Sequence, residues 1–191
     1  MTGIPLPEFP EHAGNSDTAV SDPGMQLHHA TNGDIAFLRA LYATTRVEEL
    51  AATPWSPEMR AAFLDDQFAL QHRHWVNCYP QADYLVVERQ GRPVGRCYVD
   101  FARTAARDGD ALLIDLSLLP AARGQGVGSA LLTSLLRQCD LRGQALLLHV
   151  LHANPGALRL YRRFGFADEH DDGMRLRLRR AAMPAAVANT P

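Results

Sequence analysis

The runs ALLIDLSLL (111–119) and ALLLHVL (145–151) are apolar at almost every position, a pattern that suits a strand covered on both faces. Between them lies a leucine-rich stretch with helical spacing. Strand, helix and strand at this separation form a right-handed parallel βαβ unit, and the remainder of the fold has to be arranged around it. The chain has 191 residues, 47% of them hydrophobic, which suits one domain with a sizeable core.

The flanking segments supply the rest of an α/β domain over 27–180. GDIAFLRALYATTRVEEL (33–50) has Ile35, Leu38, Leu41 and Tyr42 along one helical side. SPEMRAAFLDDQFALQHRHW (56–75) opens with Ser56 as N-cap and Pro57 in the first turn. DYLVVERQGRPVGRCYVDFA (83–102) predicts a hairpin around Gln90-Gly91-Arg92-Pro93. NPGALRLYRRFGF (154–166) predicts a capped helix ending near Gly165, and a closing hairpin follows, with Arg175, Arg177 and Arg179 on a solvent face. Residues 1–26, rich in Pro, Gly and acidic groups, predict a disordered leader, and 181–191 a flexible tail.

Composition narrows the function classes. No apolar run approaches the roughly 20 residues that span a bilayer, and the amino terminus lacks the pattern of a secretory signal, so a cytoplasmic protein without membrane contact is expected. Cys78, Cys97 and Cys139 are scattered and predict free thiols in a reducing compartment. A net charge of −2 offers no long-range attraction to nucleic acid. His28, His29, His72 and His74 lack carboxylate or thiolate company at metal-site spacing, so no metal is expected. All 19 basic residues are Arg, which removes Schiff-base lysines and the P-loop lysine.

The βαβ unit contains a local oddity. ARGQGVGSALLTSLL (122–136) places Gly124, Gly126 and Gly128 at the helix start, where glycine is unfavourable for helix formation. A helix amino terminus presents unpaired N–H groups and partial positive charge, and removing side chains lets an anion approach. Arg123 adds a guanidinium that can fork onto phosphate oxygens. A phosphate-bearing ligand is thus indicated. A dinucleotide turn is disfavoured, because Ser129 stands at the third glycine position of GQGVGS and the following strand offers His149 and His152 in place of a carboxylate.

LSLLPAARGQGVGSALL resembles the acyl-CoA-binding signature of the GNAT N-acetyltransferase superfamily, through Arg123, Gly126 and Gly128. HVLHANPGALRLYRRFGF is similar to the same superfamily's second cofactor element: strand, Asn, short helix, Tyr, Gly-Phe. The resemblance implies a mixed central sheet parted between the fourth and fifth strands and flanked by helices. It implies acetyl-CoA as co-substrate, with Leu116, Ser117 and Leu118 pairing with the pantetheine arm. Gly124, Gln125, Gly126, Val127, Gly128 and Ser129 would lie against the pyrophosphate, and Asn154, Ala157 and Tyr161 would flank the arm.

The implied reaction moves an acetyl group to a primary amine of a small molecule or peptide by direct attack. Tyr161 takes the place of the family's general acid, unless it is a core aromatic. Many relatives carry a glutamate as base where this chain has His149. Imidazole can take a proton near neutral pH, and Asp115, expected opposite an apolar face of Leu112, Ile114, Leu116 and Leu118, is the second candidate. Acceptor contacts are expected from the first helices and their loop, where Glu48, Glu49 and Trp55 lie, and paired subunits are common among relatives. The rival reading is a noncatalytic acyl-CoA sensor with the same fold.

Overall fold

A computed structural model describes residues 6–10, 22, 24–102 and 104–183. Seven strands form one open sheet in the order β1-β2-β3-β4-β5-β7-β6. They are β1 (Met25–His29), β2 (Asp83–Arg89), β3 (Arg92–Asp100), β4 (Ala111–Leu118), β5 (Leu146–Leu151), β6 (Ala167–Asp171) and β7 (Arg175–Arg180). Among the described residues, only β4 and β5 pair in parallel. The helices are α1 (Ile35–Thr45), α2 (Val47–Ala51), α3 (Pro57–Cys78), α4 (Val127–Arg142) and α5 (Pro155–Arg163).

Local chemistry sets the element ends. Thr31 and Asp34 form a reciprocal cap ahead of α1, with Thr31 Oγ1 accepting from the Gly33 amide (3.2 Å) and Asp34 Oδ2 from the Thr31 amide (2.8 Å). Ser56 Oγ accepts from the Met59 amide (3.3 Å) and Pro57 opens α3, as its sequence predicts. The β2–β3 turn places Gln90 and Gly91 at φ 52° and 70°, the left-handed pair of a type I′ hairpin.

Two apolar clusters sandwich the sheet. α4 contributes Leu131, Leu132 and Leu135, all essentially inaccessible, to the first, together with Leu146, Leu148, Leu176, Leu178 and α5's Tyr161; burying each such leucine is worth roughly 1.5–3 kcal/mol. On the opposite face, α1 and α3 bring Leu38, Tyr42 and Phe68 against Tyr84, Val86 and Tyr98.

The amino-terminal segment departs from expectation. β1 begins at Met25, inside the stretch expected to be a leader. Residues 6–10 are also docked: Phe9 packs its ring on His72 (4.7 Å between centroids) and Tyr84 (5.5 Å), and the Pro7 carbonyl meets His72 Nε2 at 2.7 Å. The reason is energetic: Leu6 and Phe9 extend the second cluster and together offset the ordering of a short segment. The rest of the expected leader, 1–5, 11–21 and 23, lies outside the described residues, as does the tail from 184. At its start, the Met183 amide donates to Asp140 (2.7 Å).

Candidate active site

β4 and β5 pair only over Ala111–Leu113 against Leu146–Leu148. Beyond that point β4 stays paired with β3 alone, Cys97 opposite Leu116, Arg96 opposite Ser117 and Gly95 opposite Leu118. The parting expected between the fourth and fifth strands is therefore present.

A bulge accompanies it. Asp115 stands opposite Tyr98 and Leu113 opposite Val99, so Ile114 is the surplus residue, and a bulge bends its strand. The bulge also corrects the expected alternation. Leu116 and Leu118 pack on the first cluster with Leu113, whereas Ile114 packs on the second, so Leu112, Ile114, Leu116 and Leu118 do not share one face.

Asp115 does lie opposite Leu116 and Leu118, but it is not free-standing. Its Oδ2 accepts from Arg96 Nε (2.7 Å) and Ser117 Oγ (2.8 Å). Arg96 is 2% exposed; it also donates to Gln71 (3.0 Å) and lies over the rings of Trp75 (4.9 Å) and Tyr98 (5.2 Å). Burial opposes the charge on Arg96, and the neighbouring Asp115 more than restores it.

The glycine loop follows a single 3₁₀ turn at Pro120–Ala122. Gly124 and Gly126 have φ 72° and 83°, and a Cβ at either would meet nothing within 4 Å. Left-handed backbone and open space thus explain both glycines. Gly128 differs, since its Cβ would lie 3.4 Å from Leu160 of α5, so it serves close packing as well. Among the described residues, the amides of Val127, Gly128 and Ser129 in the first turn of α4 find no backbone acceptor; the first amide of the helix to find one is that of Ala130, which donates to the Gly126 carbonyl (3.0 Å). Three unpaired donors thus end α4 beside the open space at Gly124 and Gly126.

Side chains frame that opening. Arg123 Nε donates to the Leu118 carbonyl (3.0 Å), Gln125 is held between Arg89 (2.5 Å) and the Ala121 carbonyl (2.5 Å), and Arg163 donates to Ser129 Oγ (3.0 Å). Arg89 and Arg163 do not stand out in the sequence.

On α5, Asn154 caps the helix as its sequence suggests, its Oδ1 accepting from the Ala157 amide (3.1 Å). Ala157 is partly buried against the first cluster. Tyr161 is buried, edge-on to Phe166 (5.7 Å). Burial, with Asp115 and Cys97 adding to it, drives its hydroxyl pKa well above the usual phenol range. The Cys97 thiol is pushed up to about 12 by its own burial.

His149 belongs to a different group. It is exposed on β5, opposite Arg177 of β7, and desolvation, then Arg177 and Arg175, hold its pKa below the ordinary 6.5. Asp115 thus adds to the upward push on Tyr161, while His149 answers to β7. Glu48 and Glu49 lie exposed on α2, Glu49 paired with Arg46 (2.6 Å), and Trp55 packs on Phe63 (5.0 Å). Among the described residues no cluster of three or more His, Cys, Asp or Glu could hold a metal ion, and no helix is long and apolar enough to cross a membrane.

Comparisons with known proteins agree with this geometry. The chain is 33% identical over 126 residues to a mycothiol acetyltransferase of Acidimicrobium ferrooxidans, covering 63% of this chain and 38% of that one. It is 32% identical over 87 residues to a putative [ribosomal protein bS18]-alanine N-acetyltransferase of Bacillus subtilis, covering 45% and 54%. The chain thus spans about two fifths to one half of the length of these relatives. In fold it is similar to the PaiA N-acetyltransferase of Thermoplasma acidophilum solved with coenzyme A, with TM-score 0.63 and 16% identity over 82% of this chain and 98% of that one. Residues 42–166 match the model of the acetyltransferase (GNAT) family, and with the parted sheet and the glycine loop in place, the chain belongs to that family.

Proposed function

We propose that this chain transfers an acetyl group from acetyl-CoA to a primary amine of a small molecule or a peptide by direct attack. The observation that carries the reading is the set of first-turn amides of α4, those of Val127, Gly128 and Ser129, which find no backbone acceptor among the described residues and lie beside two open left-handed glycines. Such donors suit a pyrophosphate, with Arg123 and Arg163 beside them. The unpaired side of β4 beyond Leu113 offers peptide groups to an extended, amide-bearing arm.

The thioester supplies an activated acetyl carbon, which bonds to the acceptor nitrogen as the carbon–sulfur bond breaks. This chain's residues then manage the protons. His149, held neutral, takes the proton that the nitrogen loses, directly or through water. Tyr161 keeps its hydroxyl proton at neutral pH and gives it to the departing sulfur. Asp115, fixed by Arg96 and Ser117, orders polar groups beside the gap and is the weaker base candidate of the two.

Calorimetry with coenzyme A on the native chain and on Gly126→Glu, alongside thiol release with a panel of amines, tests the proposal. The substitution puts bulk and negative charge at the opening, and affinity is expected to fall at least 100-fold. Unchanged affinity removes the loop argument; tight binding without turnover on any amine favours the sensor.

A further inference from the structure

Among the described residues, α1 and α3 pack over one half of the sheet and not over the half formed by β5, β7 and β6. The cluster beneath those helices takes strand residues from β2, β3 and β4 only. On that second half, beyond the buried Leu147, His149 stands opposite Arg177, and Leu151, 46% exposed, opposite Arg175. Side chains so opposed have Cβ atoms about 4.5–5.5 Å apart. The patch therefore forms a continuous wall beside the open end of the β4–β5 gap.

Its charges are unevenly committed. Arg179 is held by Asp110 (2.8 Å) and approaches Glu169 (3.9 Å), and Arg177 meets Glu169 through Nε (2.5 Å). Arg175 is exposed and forms no ion pair among the described residues. The nearby Asp172 uses Oδ1 to accept from the amides of Met174 (2.9 Å) and Arg175 (2.6 Å). At His149 the two guanidiniums outweigh Asp172 and Glu169, so the local field is positive.

The geometry points to Arg175 and Arg177 as the residues that select an acceptor bearing an oxyanion, a carboxylate or a phosphate, close to the amine to be acetylated. The assignment rests on the transferase reading of the gap. A guanidinium forks onto paired oxygens, and a positive field favours the neutral, nucleophilic amine over its ammonium. A polycation without such an oxyanion meets repulsion at the same wall.

The test is calorimetry at fixed ionic strength on the chain saturated with coenzyme A. One arm compares α-amino acids with their carboxamides, the other aminoalkyl phosphates with the matching amino alcohols. The anionic member is expected to bind about tenfold tighter in one arm, which identifies the oxyanion, and Arg175→Gln or Arg177→Gln is expected to bring that ratio close to one. The ratio is internal to each variant, so a general loss of stability does not imitate the effect. Equal affinities within every pair, no binding by any anionic member, or a ratio untouched by both substitutions overturns the assignment. Acetyl transfer to the same pairs separates the two readings. An anionic preference in binding without turnover keeps the assignment and removes the transferase; turnover of both members alike does the reverse.

Discussion

His149 shows how one residue's environment sets its usefulness. Desolvation and the arginines across the strand hold its pKa below 6.5, so the neutral ring dominates at pH 7 and the protonated ring only at lower pH. As a base it must be neutral, so kcat/KM is expected to rise with pH along an acid limb whose midpoint lies below about 6.5, and to be level near pH 7 as far as this group is concerned. In His149→Gln that limb is expected to vanish, with kcat reduced about 100-fold; a pH–rate profile that keeps the limb assigns it to another group. The candidate itself comes from the family resemblance, in which relatives carry a base at this position. Its arginine neighbours were not legible, because Arg177 lies 28 positions along the chain from His149, and alternating arginines on a strand look the same whether they face solvent or a cleft.

At the scale of elements, β3 and β4 are tied by one buried ion pair. Arg96 has almost no exposure and Asp115 keeps about a fifth, so removing the cation leaves a carboxylate poorly solvated. Arg96→Met is expected to destabilise the fold by about 3 kcal/mol, and Arg96→Met with Asp115→Leu by clearly less, since an apolar pair of similar volume replaces both desolvated charges. Urea unfolding of the two variants measures the difference. The strands and long helices were legible because periodicity and caps such as Ser56 and Asn154 are local signals. The phase of β4 was not: 112, 113, 114, 116 and 118 are all Leu or Ile, and a run apolar on both faces says nothing about which residue is surplus. β1 was missed for a related reason. MQLHH is short and half polar, and only its pairing with β2 makes it a strand.

Over the whole molecule, the contribution of residues 6–10 is the least expected feature. Composition marks them as leader, because Pro, Gly and acidic residues surround them, yet one aromatic side chain reaches a cluster made by α3, β2 and β3. Phe9 is only partly buried, so Phe9→Ala is expected to cost about 2 kcal/mol, below the usual 3–5 for a fully buried phenylalanine, and to lower Tm by roughly 4–8 °C for a chain of this size. A thermal melt that does not shift shows the segment to be ornamental. The surplus residue in β4 has a consequence at the same scale. Without Ile114 the strand would keep the same side chains on the same faces, with no bend to carry it away from its neighbour. The two parallel strands would zip shut to their ends, and the protein would gain ladder bonds while losing its crevice.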